Sequence, residues 1–356
     1  MASVFGNRLK ISLFGESHGP AIGIVIDGFP AGFRVNEEEI TEQLKRRQPG
    51  RKLSTLRIES DRPRILGGVL HGMTTGAPIA VVIDNENARS EDYPEDKLIP
   101  RPGHADYPAF VKYGGYADLR GGGQFSGRLT APLVFAGTLC AGFLRERYGI
   151  EIGAHISRIL YAKDASFPLD ITPSDLRAIR DHSFPTIDLD CGVAFAGLIG
   201  EAEARGDSVG GEVECAAIGL PVGLGTHPFG GIEPTLAPFL FSIPGVKSLS
   251  FGDGTDFAEN FGSYCNDAYR FREDKVVCET NHAGGVTGGM SNGMPLLFRV
   301  VFKPTPSIAV EQKSVDLNTK TDATLSIKGR HDPCIALRAV PVVESVTAIA
   351  LTELIL

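Results

Sequence analysis

Glycine and proline punctuate this chain so densely that they decide where regular structure can form. There are 43 glycines and 23 prolines in 356 residues, about 19% of the chain, which is above ordinary usage. Proline breaks helices and strand ladders, and glycine weakens both while letting main chain turn sharply and approach a ligand closely. The spacing therefore predicts short windows of regular structure joined by many tight turns, with sites built partly from backbone. No G-X-Y period is present, which excludes a collagen-like rod. At 42% hydrophobic and 22% charged residues the chain is rich enough to bury a sizeable core and too apolar to be disordered.

The windows left between the breakers mix both periods. Leu9–Phe14 and Ala21–Asp27 read as strands around the turn Gly15-Glu16-Ser17-His18-Gly19-Pro20, and Pro78–Asp84 reads as another. Asn36 with Glu39 resembles a capping box opening a charged helix to about Gln48. Residues 85–124 show little periodicity, and a loop that long inside a compact chain is usually functional. Arg128–Tyr148 reads as a helix whose small residues allow close packing, Thr172-Pro173 opens a further helix, and Val193–Arg205 and Pro333–Leu356 complete the helical set. Glu212–Leu220 and Pro295–Lys303 have β character. Hairpins beside separate long helices, with no repeat and no linker, predict an α+β fold in one large domain spanning residues 1–356.

Several function classes are disfavoured. A net charge of −8 argues against a general nucleic-acid binder. The six cysteines at 140, 191, 215, 265, 278 and 334 include no C-x-x-C pair, so neither a zinc site nor a redox pair is expected, and no metal is assigned. Free thiols fit a reducing compartment. The first residues carry no signal-peptide core. The apolar stretch Leu129–Leu144, 16 residues with Pro132, Gly137 and Gly142 inside it, falls short of the roughly 20 needed to span a bilayer. A cytoplasmic protein with no membrane partner is expected.

Two motifs mislead. Gly15-Glu16-Ser17-His18-Gly19 matches the G-x-S-x-G nucleophile elbow, but an elbow needs strand, turn and helix, whereas Pro20 and the strand-like Ile22–Ile26 follow here. Gly121-Gly122-Gly123-Gln124-Phe125-Ser126-Gly127 has glycines ahead of a helix, but the polar residues 112–120 cannot supply the strand a dinucleotide fold requires. Recognition of a phosphate or ring by backbone N–H groups stays open there.

Other segments are more informative. Residues 44–64 carry Lys45, Arg46, Arg47, Arg51, Lys52, Arg57, Arg62 and Arg64 against Glu59 and Asp61, a local excess of six cations in an acidic chain. That is either a solvated basic face or a site for a small polyanion, since guanidinium forks bind phosphate and carboxylate bidentately. Arg101-Pro102-Gly103-His104-Ala105-Asp106 holds His104 beside an acidic neighbour, which suits a tuned general acid as well as a histidine that only pins the loop. Thr280-Asn281-His282-Ala283-Gly284-Gly285 and Gly288-Gly289-Met290-Ser291-Asn292-Gly293 suggest main chain shaped around a flat ligand. Lys303-Pro304-Thr305-Pro306-Ser307 offers a cation and two hydroxyls at a strand end, suited to a phosphate. Gly329-Arg330-His331-Asp332-Pro333-Cys334 closes the series.

Taken in order, these motifs resemble the chorismate synthase family: Gly-Glu-Ser-His-Gly, Arg-Pro-Gly-His-Ala-Asp, the glycine-rich stretch before Ser126-Gly127-Arg128, Asn-His-Ala-Gly-Gly, Lys-Pro-Thr and Gly-Arg-His-Asp-Pro-Cys, spanning residues 15 to 334. The resemblance implies a β-α-β sandwich of antiparallel sheets with a helical core. It implies the 1,4-anti elimination of phosphate from 5-enolpyruvylshikimate 3-phosphate to give chorismate, with reduced FMN, no net redox change, NADPH as a candidate reductant and a homotetrameric assembly. By the same resemblance His18 protonates the departing phosphate, His104 keeps the reduced flavin in its proper protonation state, and Asp332 assists removal of the C6 proton through flavin N5. Arg47 matches an arginine of the substrate or NADP region. Gln124, Phe125, Ser126, Gly288, Lys303, Pro304, Thr305, Pro306, Ser307 and Arg330 match FMN contacts.

The chain departs from the family pattern in places. Gln124-Phe125-Ser126-Gly127-Arg128 stands where many relatives read Arg-Ser-Ser-Ala-Arg, Ser242-Ile243-Pro244-Gly245 where many read Ser-Ile-Asn-Ala, and Leu53 where a second arginine is common. These changes bear on FMN and substrate affinity. A flavin- or polyanion-binding protein without turnover and a serine hydrolase resting on Ser17 are the competing readings. Asp332-Pro333 also reads as a helix start, with Asp332 as the N-cap.

Overall fold

The computed structural model describes residues 3–48, 53, 60–86, 98–327 and 331–356. Its internal contacts divide the chain into two compact units, Met1–Phe135 with Ala196–Gly210 and Pro304–Arg338, and Ala136–Phe195 with Gly211–Lys303 and Ala339–Leu356. Each unit has its own five-stranded antiparallel sheet, which makes the fold α+β.

In the first unit the strands of the five-stranded sheet are β1 (Val4–Phe5), β2 (Lys10–Gly15), β3 (Ala21–Asp27), β4 (Pro63–Gly67) and β5 (Ile79–Asp84), in spatial order β1-β2-β3-β5-β4. Strict alternation builds this sheet. Ile22, Ile24 and Ile26 of β3 lie directly across from Ile83, Val81 and Ile79 of β5, and all six are buried. Each such side chain contributes roughly 1.5–3 kcal/mol of burial. The register pairs Gly15 with Ile22 and Ala21 with Asp84, so the β2–β3 turn and the end of β5 share one edge of the sheet. Helix α1 (Glu37–Arg47) starts where the Asn36 side chain accepts the Glu39 N–H. Its first turn is acidic and its last turn basic, as the helix dipole favours.

The second unit holds β6 (Glu151–Ile159), β7 (Ala162–Lys163), β8 (Gly211–Ile218), β9 (Val246–Phe251) and β10 (Leu296–Phe302), in order β9-β10-β8-β6-β7. The remaining helices are α2 (Asp106–Lys112), α3 (Thr130–Tyr148), α4 (Pro173–Asp181), α5 (Leu189–Ala204), α6 (Ile232–Phe241), α7 (Gly262–Cys265) and α8 (Ala336–Ile355). The boundaries between units fall inside α3, α5 and α8. Within the second unit, α3 and α8 pack so closely that a Cβ on Gly137 would sit 2.2 Å from that of Ser345. A stretch through α3, Gly127–Tyr148, is long and apolar enough to cross a membrane by length and composition, but 78% of its apolar window is buried inside the structure, which is how a core helix behaves.

Four differences from the sequence reading have physical reasons. The long loop contains α2, whose Pro108 sits in the first turn, where no N–H is needed. β6 has almost no exposed face, so it lacks the alternation that marks a half-buried strand. Helix α6 carries Pro234 in its first turn and Pro238 inside it, and both hide it from propensity reasoning. Finally, α8 begins at Ala336, so Asp332 lies ahead of the helix and does not cap it.

Candidate active site

The β2–β3 connection carries His18. Gly19 N–H donates to the Glu16 carbonyl at 3.1 Å, closing a four-residue turn with His18 at its third position. The chain returns as β3, so the strand–turn–helix of a nucleophile elbow is absent and the hydrolase reading has no geometric basis. Ser17 Oγ donates to the Arg120 carbonyl at 3.2 Å and lies 3.2 Å from His18 Nδ1. With its one proton on Arg120, the hydroxyl is an acceptor toward His18, which places a proton on Nδ1. Ser17 N–H is held by the Gly123 carbonyl at 3.2 Å.

That contact belongs to the glycine run, which forms a tight turn with φ of 60°, 103° and 51° at Gly121, Gly122 and Gly123. Their role is visible in what a side chain would strike. A Cβ on Gly121 would stand 2.0 Å from His18 Cε1, and one on Gly122 would stand 3.2 Å from His104 Nε2 and 3.6 Å from Ser126 Cβ. Main chain thus takes the place of side chain, and His18, His104 and Ser126 all lie against the same three residues. Among the described residues the element just ahead of this turn is α2 (Asp106–Lys112) and not a strand, so it is not a dinucleotide-binding unit. Ser126 Oγ accepts from Arg128 N–H at 3.2 Å, the Phe125 ring lies 6.4 Å from that of Tyr113, and Gln124 is exposed.

His104 is oriented by Asp106. Its Nδ1 lies 2.7 Å from Asp106 Oδ1, and Arg101 grips the same carboxylate through Nε and Nη2, each at 2.7 Å. Nδ1 must carry the proton to donate to Asp106, which turns Nε2 toward Gly122. Burial pushes the Asp106 carboxyl up, but hydrogen bonds from Arg101 and His104 and the charge of Arg101 outweigh it and hold the group well below the usual carboxylate range.

Two further ionic groups lie in this unit. Arg47 is buried, with Nη2 on Asp61 Oδ2 at 2.6 Å and Nη1 donating to Thr130 Oγ1 at 3.5 Å. Arg128 Nη1 binds the other oxygen of Asp61. Asp332 Oδ2 accepts from Arg338 Nη1 at 2.7 Å, and Arg338 Nε donates to the Arg47 carbonyl at 2.9 Å. Of the basic segment, Arg64 pairs with Asp84 at 3.2 Å in an exposed position, while Arg51, Lys52 and Arg57 lie outside the described residues, as does Arg330.

The remaining predicted positions divide between the units. Gly288 turns a two-residue hairpin between Val286–Thr287 and Met290–Ser291, and a Cβ there would meet nothing within 4 Å. Its neighbours serve packing instead, because a Cβ on Gly284 or Gly285 would strike a backbone oxygen at 2.6 or 2.5 Å. Lys303 follows β10, its N–H donating to the Gly245 carbonyl at 3.0 Å. Burial and the charge of Lys247 lower its ammonium pKa. In the first unit, Thr305 Oγ1 is buried without a hydrogen-bond partner among the described residues, Ser307 is buried, and Pro304 and Pro306 flank them. An unsatisfied buried hydroxyl beside two prolines fits a phosphate oxygen.

The family model for chorismate synthase matches residues 9–356. The chain belongs to the chorismate synthase family. Chorismate synthase of Thermococcus gammatolerans is 48% identical over 351 residues, covering 98% of this chain and 96% of the relative. That of Thermococcus kodakarensis is 46% identical over 351 residues with the same coverage. A solved structure titled as a crystal structure of chorismate synthase superposes with a TM-score of 0.76 at 27% identity, covering 98% of this chain and 92% of that one. The family's reaction is this chain's: elimination of phosphate from 5-enolpyruvylshikimate 3-phosphate to give chorismate, a lyase step of the shikimate pathway. Membership also carries a requirement for a flavin.

Sequence reasoning missed four residues of this constellation. Arg338 and Lys247 come to Asp332 and Lys303 through tertiary folding, and no local spacing signals either. Asp61 was legible only as a charge deducted from the basic segment. Asn85 had no signal beyond its place at the end of a predicted strand.

Proposed function

We propose that the chain catalyses this elimination with FMN, held in its reduced form, and with NADPH as the candidate reductant. The convergence of His18 and His104 on the Gly121–Gly122 main chain supports this reading above any other observation. His18 is assigned as the acid that protonates the departing phosphate. Its ring is oriented by Ser17, whose Oγ lies 3.2 Å from Nδ1. His104, braced by Asp106, is assigned to keep the flavin correctly protonated. Asp332, steadied by Arg338, is assigned to receive the proton that leaves C6. When bound, the reduced flavin supplies a transient electron that helps expel phosphate and is then returned.

The residues assigned to FMN are Gln124, Phe125, Ser126, Gly288, Lys303, Pro304, Thr305, Pro306, Ser307 and Arg330. The buried Thr305 hydroxyl, with no hydrogen-bond partner among the described residues, supports the assignment of this segment to a flavin phosphate. Arg47 is assigned to the substrate or NADP region, where it acts through charge shared with Asp61 and Arg128. We also propose a single functional domain over 1–356, a homotetramer and a cytoplasmic location.

The test is anaerobic turnover of 5-enolpyruvylshikimate 3-phosphate with dithionite-reduced FMN. The expected result is one phosphate per chorismate with the flavin still reduced. Equal turnover without flavin, or one flavin oxidised per product, would contradict the reading.

A further inference from the structure

We propose that Asn85 is a positioning residue for His18, clamping the turn that carries it; this rests on the assignment of His18 as the acid. Sheet register brings the two together. Ala21 opposes Asp84 across β3 and β5, so the residue after β5 stands beside the residue before β3, and Asn85 N–H donates to the Pro20 carbonyl at 3.0 Å.

The side chain completes the clamp. Asn85 Nδ2 donates to the carbonyls of Glu16 and Gly19, each at 2.9 Å, the first and last residues of the turn. Its Oδ1 accepts from Arg128 Nε at 3.0 Å. Chemistry fixes this orientation, because two carbonyls can only accept and a guanidinium can only donate. Both amide protons and the amide oxygen are therefore engaged.

The clamp is itself anchored. Arg128 is paired with Asp61, which is paired in turn with Arg47. The Arg47 carbonyl accepts from Arg338, the partner of Asp332. Asn85 is thus the last link between a buried ionic network and the His18 turn. From the other side the turn meets Gly121, where no slack exists for the His18 ring. Loss of the clamp lets the ring tilt away from that surface.

The experiment is a double-mutant cycle on the full chain with saturating reduced FMN, comparing wild type, Asn85→Ala, His18→Ala and the double variant. Asn85→Ala should lower kcat about 10-fold, the scale of a small misplacement of a reacting group, with KM changed much less. In the His18→Ala background the same substitution should cost nothing further, because the residue it positions is gone. Asn85→Asp keeps an acceptor for Arg128 but has no N–H to give the two carbonyls, so it should lose as much as Asn85→Ala, and it carries the cycle if the alanine variant does not fold. An equal loss in both backgrounds, or an unchanged kcat in both Asn85 variants, would overturn the proposal. Near-normal turnover by His18→Ala would instead overturn the assignment of His18 itself.

Discussion

Two histidine sites in this protein use the same partners to opposite ends. In the second unit, His155 of β6, Glu214 of β8 and Arg299 of β10 lie side by side across three strands. Both nitrogens of His155 are taken, Nδ1 by Asp164 at 2.9 Å and Nε2 by Glu214 at 3.0 Å. Glu214 also accepts from Arg299 and from Phe167 N–H. The His155 side chain is 0% exposed, whereas that of His104 is 15% exposed. Burial lowers the His155 pKa, but the two carboxylates outweigh it, so the ring is held protonated. Two cations balance two carboxylates and no nitrogen remains to trade a proton. His104 has one nitrogen bound to a carboxylate and the other facing main chain at an open turn. A histidine–carboxylate pair becomes chemistry only where the second nitrogen is left to a substrate or cofactor.

The largest test of this contrast is His155→Gln, which leaves Asp164 and Glu214 short of a charge partner. It should cost about 3–5 kcal/mol of stability, the usual consequence of breaking a buried ion pair, read as a lower urea midpoint. The pH dependence has a definite sign. His155 is raised above its free value of about 6.5, so its contribution is complete below that pH and lost as pH rises through the native value. Asp164 and Glu214 are lowered, so theirs is present above about pH 4 and lost as pH falls through the native values. The gap between wild type and His155→Gln should be widest near pH 5–6.5 and narrow in alkali. A gap that widens with rising pH would reverse the assignment of charge.

Next in size come His18→Ala and His104→Ala, each expected to lower kcat about 10²-fold or more with thermal unfolding little changed. Asp332→Asn belongs with them. Since α8 starts at Ala336, no cap role competes, and about 10²-fold in kcat should be lost while FMN titration stays normal. Asp106→Asn is milder. It keeps the shape but frees the His104 tautomer and loses the charge, and should cost about 10-fold in kcat. Smallest is Thr305→Ala, expected to weaken FMN binding by about 1 kcal/mol, the worth of one hydrogen bond, without touching kcat at saturating flavin. Unchanged affinity would leave the orphaned hydroxyl unexplained.

How legible all this was in the sequence follows from range. Strands β5 and β10 alternate cleanly, and helices α1 and α4 announce their caps, so local rules found them. His104 with Asp106, two residues apart, was visible as a pair for the same reason. That His18 and His104 meet on Gly121–Gly122 was not visible, since contacts across about 100 residues leave no local trace. The His155 cluster was silent too. His155, Glu214 and Arg299 sit in strands paired by register, and charged residues there look like interruptions until the strands are aligned.

The most direct test of the contrast is an anaerobic single-turnover rate for 5-enolpyruvylshikimate 3-phosphate with reduced FMN, measured for His18→Ala, His104→Ala and His155→Gln at pH 6 and at a temperature where all three are folded. The account predicts that the first two lose about 10²-fold or more while His155→Gln turns over at the wild-type rate. A slow His155→Gln beside near-normal His18→Ala and His104→Ala would contradict it.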